Sequence, residues 1–240
     1  MNILVTGGAS GLGEDITRRL ASNESNTIFF TFNRSIESAK VIEREFTNTK
    51  GIHCDFRNQN DLDNLLTFIS VSNINILINN AYTSKIIPTH FHKTDISVFK
   101  ENFLSNIIPI ISINQKAIFH FRKQKFGKII TILSSAIIDK PPLGWSEYAA
   151  GKAYLASLCK SWATENSSFN ITSNSVSPSF MLTNLTIDTD ERTIQDIKDA
   201  NPLKEHLTTK EVADTVLYLS TCSQQINGIN LIINAGTHIV

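Results

Sequence analysis

The chain alternates short apolar runs with longer segments in which apolar residues recur every three or four positions. Short runs rich in Val, Ile and Phe predict β-strands, whereas the longer period predicts amphipathic helices. Strands are predicted at 2–6, 27–32, 51–54, 74–79, 128–133, 170–176 and 229–233. Helices are predicted at 12–22, 36–46, 60–71, 95–124, 147–166 and 209–221.

Strands that alternate with helices imply βαβ units, and therefore a parallel sheet covered by helices on both faces. We predict an α/β fold with about seven strands in one doubly wound sheet, formed by a single domain over residues 1–240. The least regular segment is 179–208, where a short helix is predicted at 189–199. This excursion is interpreted as a lid over a substrate or, equally, as a plain surface loop.

The charge balance argues against some classes of partner. Lys and Arg number 22, as do Asp and Glu, so the formal net charge is zero. Nucleic-acid and membrane-surface binders more often carry a basic excess, so neither partner is expected. The cysteines at 54, 159 and 222 are widely spaced and predict no disulfide framework and no metal site. The strand-like start at Asn2 predicts no signal peptide, and we expect a cytoplasmic protein.

Glycines cluster between the first predicted strand and the first predicted helix, in TGGASGLG at 6–13. Gly7, Gly11 and Gly13 can adopt backbone angles closed to other residues and let a ligand approach the backbone closely. A helix that begins near Gly11 would aim its free N–H groups and positive dipole end at a pyrophosphate. The segment, including Ser10 and Leu12, therefore predicts a dinucleotide site of the Rossmann type rather than a glycine-rich turn without a ligand.

The residues after the second predicted strand bear on the choice of cofactor. A carboxylate at this point would bind the ribose 2′-hydroxyl of NADH, whereas an arginine accommodates a 2′-phosphate. The sequence has Asn33 and Arg34 there and no acid. We therefore predict NADPH over NADH, the alternative being that Arg34 is a solvated surface charge.

The stretch YAAGK places Tyr148 and Lys152 four residues apart, on one face of a predicted helix. A phenol with a pKa of about 10 must be shifted by about three units to act near neutral pH. A positive charge ~4 Å away at an effective dielectric constant of ~20 contributes about 4 kcal/mol, which is the size required. The pair is a candidate proton donor and acceptor, with burial opposing the shift and the lysine expected to dominate.

The order of these motifs resembles the short-chain dehydrogenase/reductase family, in particular its 3-oxoacyl carrier-protein reductases. The motifs are TGGASGLG, the sequence NNA at 79–81, a serine after the fifth strand, YAAGK, and a late proline after the sixth strand. The resemblance covers nearly the whole chain. It implies strand order 3-2-1-4-5-6-7, interconversion of carbonyls and alcohols, and a homotetramer or homodimer.

The resemblance also assigns roles to individual residues. Tyr148 would be the general acid and base, Lys152 its partner and a ligand of the nicotinamide ribose, Ser134 the holder of the substrate oxygen, and Asn106 a group that orders the fourth helix and a water near Lys152. The spacing leaves Ser135 open as the serine and Asn102 as the asparagine. Cofactor contacts are implied for a larger set: Gly7, Ser10, Gly11, Leu12, Gly13, Asn33, Arg34, Asp55, Phe56, Asn79, Asn80, Ala81, Tyr148, Lys152, Pro178, Phe180 and Thr183.

Several positions depart from the family pattern. Tyr82 and Ser179 stand where the family usually has glycine, and Ala235 lies in NAG where Asp-Gly-Gly is usual. Pro109 cannot donate a hydrogen bond to the carbonyl of Ser105, which predicts a kink in the fourth helix unless the proline is incidental. The first two departures could narrow the pocket, so they weaken the transfer of a substrate from the family.

Together the motifs predict an NADPH-dependent enzyme that reduces a ketone, with a 3-oxoacyl thioester as the default substrate. One alternative is an NAD(P)-dependent alcohol or sugar dehydrogenase. Another is a non-catalytic NADP(H)-binding regulatory protein, suggested by the glycine replacements at Tyr82, Ser179 and Ala235. The complete serine, tyrosine, lysine and asparagine set favours an enzyme, because such groups are costly to hold in place without use.

Overall fold

A computed structural model describes residues 1–183, 185–237 and 239. Seven parallel strands form one sheet in the order β3-β2-β1-β4-β5-β6-β7, as predicted. The strands are β1 (Asn2–Val5), β2 (Thr27–Phe32), β3 (Thr49–His53), β4 (Ile76–Asn79), β5 (Gly127–Ile132), β6 (Ile171–Pro178) and β7 (Asn230–Ile233). The predicted bounds agree with these to within two residues at either end.

Helices cover both faces of the sheet. They are α1 (Gly11–Ala21), α2 (Ile36–Glu45), α3 (Gln59–Val71), α4 (Ile96–Asn102), α5 (Ile108–Gln124), α6 (Ser146–Asn166), α7 (Glu191–Ala200) and α8 (Thr209–Thr221). One hydrophobic core joins the sheet to α1, α2 and α8, and a second joins it to α3, α5 and α6. This arrangement confirms the predicted doubly wound α/β fold.

The central strands are apolar along their length because each is buried on both faces. In β1, Ile3 and Val5 enter the core under α1, whereas Leu4 enters the opposite core. In β4, Leu77 likewise points away from its neighbours Ile76 and Ile78. Successive side chains of a strand point to opposite faces, so these uninterrupted apolar runs supply both layers of the core at once.

The predicted helix at 95–124 is divided in the structure. A π-helical turn over Phe103–Ile107 separates α4 from α5, and the N–H of Ile108 donates to the carbonyl of Phe103. Pro109 lies in the first turn of α5, where its missing N–H costs little. The proline thus coincides with a break in the α-helical ladder, which places Asn106 within the π-helical turn.

The stretch Ile96–Gln124 is also long and apolar enough, by length and composition alone, to cross a membrane. Core helices of soluble proteins pass the same test. Here the side chains of Ile110, Ile113 and Phe121 are buried in the core under α3 and α6. The apolar character of this stretch is therefore explained in part by packing within the fold.

The strand order determines where a ligand-binding crevice lies. Chain connections leave β1 toward β2 on one side and reach β4 on the other, so a crevice opens where the carboxyl ends of β1 and β4 diverge. In open parallel sheets, ligands bind at this switch point. The glycine-rich turn follows β1 and the NNA segment extends from the end of β4, so both lie at that crevice.

Candidate active site

A single cleft of about 1310 Å³ extends along the carboxyl edge of the sheet. Its walls contain Ser134, Tyr148 and Lys152, together with every residue expected to bind the cofactor except Asn79. The lining cofactor residues are Gly7, Ser10, Gly11, Leu12, Gly13, Asn33, Arg34, Asp55, Phe56, Asn80, Ala81, Pro178, Phe180 and Thr183. The cleft therefore joins the predicted dinucleotide and catalytic residues in one space.

The glycine-rich turn is shaped by close packing. Gly7 has φ +66° and Gly11 has φ +51°, in the left-handed region that favours glycine. A Cβ on Gly13 would lie 1.9 Å from the carbonyl oxygen of Gly7, so only glycine lets the start of α1 approach the turn. The side-chain amide of Asn80 donates to the carbonyls of Thr6 and Gly7, which ties the end of β4 to the turn.

The N-terminus of α1 faces this cleft with unpaired donors. The first N–H groups of a helix have no intrahelical acceptor. Ser10 precedes the helix, and its side chain makes no capping hydrogen bond to them. These donors, the positive end of the helix dipole and the absence of side chains at Gly11 and Gly13 fit a diphosphate. The observed turn is thus suited to a dinucleotide.

At the end of β2, Arg34 is exposed and lines the cleft. Within the part of the chain described, no carboxylate forms an ion pair with its guanidinium group. Nearby Asp55 follows β3, and its carboxylate accepts a hydrogen bond from the N–H of Arg57. The cleft therefore offers an unpaired cation at the position where a 2′-phosphate would be recognised.

The catalytic candidates meet at the carboxyl end of β5. Ser134 follows this strand, and its side chain lies close enough to Tyr148 to lower the pKa of the phenol. Tyr148 and Lys152 lie one turn apart on α6, each only 6% exposed. The Lys152 ammonium donates to the carbonyl of Ile132 at 2.7 Å. Both serines left open by the sequence line the cleft, and Ser134 is the one that lowers the pKa of the phenol.

The environment acts on both titrating groups. Burial raises the pKa of the Tyr148 phenol, the hydrogen bond with Ser134 opposes this shift, and the charge of Glu147 adds to it. Burial lowers the pKa of Lys152 to about 8. The Lys152 Nζ lies 5.8 Å from the centroid of the Tyr148 ring. The phenol is therefore unsuited to act as a base by burial alone, and the nearby ammonium is the group that can favour its ionised form.

Asn106 is buried outside the cleft wall and acts through its neighbours. Its side-chain oxygen accepts from the N–H and hydroxyl of Thr83, at 2.7 and 3.0 Å. Its amide donates to Asn102 at 2.8 Å, and the amide of Asn102 donates to the carbonyl of Glu147 at 3.4 Å. Both candidate asparagines thus belong to one network that links α4, the π-helical turn, α6 and the loop after β4.

Asn79 differs from the expectation that it lines the cofactor site. It is buried at the end of β4, where its side chain exchanges two 3.1 Å hydrogen bonds with Asn114 of α5. It also donates to the hydroxyl of Thr131 on β5. Because a buried amide needs hydrogen-bond partners, this side chain joins the sheet to α5 instead of facing a ligand.

Further contacts in the cleft were not predicted from the sequence. Trp145 packs edge to face against Tyr148 at 5.5 Å between ring centroids, and His206 lies 6.0 Å from the Phe180 ring. An ion pair of 2.6 Å joins Lys85, after β4, to Asp188, after β6. The Phe180–His206 and Lys85–Asp188 contacts join segments far apart in the chain, so no local sequence signal announces them. Within the described ranges no group of three or more His, Cys, Asp or Glu could hold a metal ion.

Known proteins share this sequence and fold. Residues 1–194 match the family model described as short chain dehydrogenase. A 3-oxoacyl-[acyl-carrier-protein] reductase of Aquifex aeolicus (strain VF5) is 30% identical over 97% of this chain and 95% of its own length. The same reductase of Rickettsia prowazekii (strain Madrid E) is 30% identical over 99% of this chain and 96% of its own.

More distant similarities agree. Carbonyl reductase family member 4 of Xenopus tropicalis is 26% identical over 98% of this chain and 97% of its own. A crystal structure described as a gluconate dehydrogenase of Agrobacterium tumefaciens has a TM-score of 0.89 at 20% identity, over 100% of this chain and 96% of that one, a likeness of fold. With the family match, the cleft and the fold, the chain belongs to the short-chain dehydrogenase family and is an NAD(P)-dependent oxidoreductase.

Proposed function

We propose that this enzyme uses NADPH to reduce a ketone to an alcohol, with Tyr148 as the proton donor. The observation that carries the proposal is that Ser134, Tyr148 and Lys152 line the same cleft as the glycine-rich turn and Arg34, with Tyr148 one helical turn from Lys152. The non-catalytic alternative is disfavoured because burial of Lys152 and Tyr148 is costly unless their charges are used.

In this proposal each residue has a separate task. NADPH, when bound, supplies the hydride. Ser134 donates a hydrogen bond to the carbonyl oxygen and stabilises the negative charge that develops there. Tyr148 gives its proton to that oxygen, and the charge of Lys152 stabilises the phenolate that is left. Burial excludes water from the group that transfers the proton, which strengthens these electrostatic interactions.

The residues that would hold NADPH follow from the walls of the cleft. The N–H groups at the start of α1 would bind the diphosphate, with Gly11 and Gly13 allowing its approach. Arg34 would pair with the 2′-phosphate, and Lys152 would hold the nicotinamide ribose. Thr183 lies beside Gly11, since a Cβ on that glycine would be 3.7 Å from the Thr183 Cβ. Thr183 would cover the bound cofactor beside the glycine-rich turn.

The proposed substrate is a 3-oxoacyl thioester. Its support is that the relatives at 30% identity are 3-oxoacyl-[acyl-carrier-protein] reductases. We further propose that residues 1–240 form a single domain, that the segment 179–208 closes over the substrate, and that the enzyme is a cytoplasmic homotetramer or homodimer. The homotetramer or homodimer is the assembly that the family resemblance implies.

Oxidation of NADPH in the presence of ketones tests the proposal. The substrate panel should contain 3-oxoacyl thioesters, sugars and cyclic ketones, each compared with NADH as the reductant. We expect Tyr148→Phe to lose at least about a hundredfold in kcat, since general acid catalysis contributes roughly 10²–10⁴, while NADPH affinity stays within a few-fold. Retained turnover in this variant, or tight NADPH binding without turnover of any ketone, would contradict the proposed function.

A further inference from the structure

Tyr82 occupies an unusual place in the site. It follows Ala81 directly after the β4 segment, where related sequences usually have a glycine, and its side chain lines the cleft. A glycine here would leave one side of the Tyr148 and Lys152 pair without a packing partner. The phenol of Tyr82 fills this space, and burial raises its pKa, so its ring remains neutral at physiological pH.

The Tyr82 ring contacts both members of the pair. Its centroid lies 5.3 Å from that of Tyr148, with the rings at 80°, an edge-to-face contact. The Lys152 Nζ lies 5.4 Å from the same Tyr82 centroid, within the range of a cation–π interaction. Trp145 also packs edge to face against Tyr148, so the catalytic phenol contacts two aromatic rings. These contacts constrain its orientation.

Glu147 holds the far end of Tyr82. The Tyr82 hydroxyl lies 3.5 Å from a carboxylate oxygen of Glu147, a long hydrogen bond. Glu147 directly precedes Tyr148 on α6, and Asn102 binds its backbone carbonyl. Thr83, the next residue after Tyr82, donates to Asn106. The ring of Tyr82 is therefore fixed at both ends, by α6 and by the π-helical turn.

The groups that face Lys152 define what Tyr82 adds. From α6 they are Tyr148 and Cys159. Burial raises the pKa of both groups, that of Cys159 to about 11, so both are neutral near pH 7. From β5 the contact is the uncharged carbonyl of Ile132. Glu147 acts on Tyr148 and Tyr82, and Glu101 of α4 acts on Glu147. The Tyr82 ring face thus attracts the buried ammonium without adding another buried charge.

We propose that Tyr82 is a positioning residue that keeps Lys152 protonated by a cation–π contact and orients Tyr148 by ring packing. The proposal rests on the proposed function, because it gives Tyr82 a task in the same proton transfer. A buried ammonium loses its hydration, and the electron-rich ring face replaces part of it. Without that face Lys152 would release its proton at lower pH and stop stabilising the Tyr148 phenolate.

Two variants distinguish the effect of the Tyr82 ring from the effects of its hydroxyl and of its bulk. Tyr82→Phe keeps the ring face, whereas Tyr82→Leu keeps an apolar side chain at that place and removes the π system. Titration of ¹³C-labelled lysine side chains by NMR measures the pKa of Lys152 directly, its signal being assigned by its loss in Lys152→Arg. We expect the wild-type pKa in Tyr82→Phe. In Tyr82→Leu we expect a pKa lower by about half a unit to one unit.

Kinetics provide the second readout. In Tyr82→Leu the basic limb of kcat/KM for ketone reduction should move down by the same half to one unit, and kcat should fall several-fold with the KM for NADPH unchanged. A Lys152 pKa equal in all three proteins, or shifted as far in Tyr82→Phe as in Tyr82→Leu, would overturn the proposal. The NMR titration needs no turnover, so an absence of reductase activity would refute the proposed function separately.

Discussion

Replacement of Lys152 by methionine tests whether its charge tunes the catalytic phenol. The Lys152 Nζ lies 5.8 Å from the centroid of the Tyr148 ring. Taken as the separation of the two charges, the distance to the ring centroid gives about 3 kcal/mol by Coulomb's law at an effective dielectric constant of ~20. This free energy corresponds to about two pKa units. Removal of the charge should therefore raise the pKa of Tyr148 by about two units, in addition to the rise that burial already causes.

Oxidation of the alcohol product by NADP⁺ is the assay in which this shift is visible, because the Tyr148 phenolate must then accept a proton. As the pH falls below the pKa of Tyr148, the fraction of this residue present as phenolate decreases. A pKa raised by two units moves the acidic limb of kcat/KM up by about two pH units and lowers the rate at neutral pH roughly a hundredfold. The rate is followed by NADPH absorbance at saturating NADP⁺, because Lys152 is also expected to bind the nicotinamide ribose.

Lys152→Arg is the matched control, since it retains a positive charge on a side chain of similar length. Its acidic limb should remain closer to that of the wild type than that of Lys152→Met, even if its overall rate is lower. An acidic limb at the same pH in Lys152→Met and wild type would refute the reasoning. Stabilisation of the Tyr148 phenolate would then have to come from Ser134 or from the cofactor.

Two further predictions concern cofactor binding. Arg34→Ala should weaken NADPH binding by about 10- to 100-fold and leave NADH binding unchanged, because a hydrogen-bonded charge pair contributes roughly 1.5–3 kcal/mol; equal losses for both cofactors, measured by fluorescence titration, would contradict the assignment. Gly13→Ala should destabilise the fold by at least ~1–3 kcal/mol and weaken NADPH binding, because its Cβ would lie 1.9 Å from the carbonyl oxygen of Gly7. Urea unfolding measures the stability loss, and an unchanged midpoint would show that the turn adjusts without cost.

The fold was predictable because its signals are local. Most strands of the sheet contain an apolar run, although β3 and β6 are largely polar. The helices begin where caps or glycines occur, as at Gly11 and at Thr208, whose side chain and that of Glu211 form a capping box before α8. The helix predicted over 95–124 was wrong in one respect, the π-helical turn at Phe103–Ile107. Pro109 signals the disturbance, but a missing donor does not specify which hydrogen-bond pattern replaces the α-helical one.

The candidate site was predictable only as a set of residue types. The spacing of Tyr148 and Lys152 places them on one helix face, but it could not choose between Ser134 and Ser135, whose separation from Tyr148 includes an irregular loop. Asn79 was expected at the cofactor and instead pairs with Asn114, 35 positions away. Partners so distant in sequence depend on how α5 packs on β4.

The sequence by itself determined the doubly wound sheet, the dinucleotide turn and the helix face that carries Tyr148, because hydrophobic period, glycine content and four-residue spacing act within a few turns of chain. Only the tertiary structure decided that Tyr82 lies beside both Tyr148 and Lys152, and that the cleft continues to Arg34. These contacts join loops after β2, β4 and β5. Their distances follow from parallel strand order and core packing, which set which carboxyl ends are neighbours.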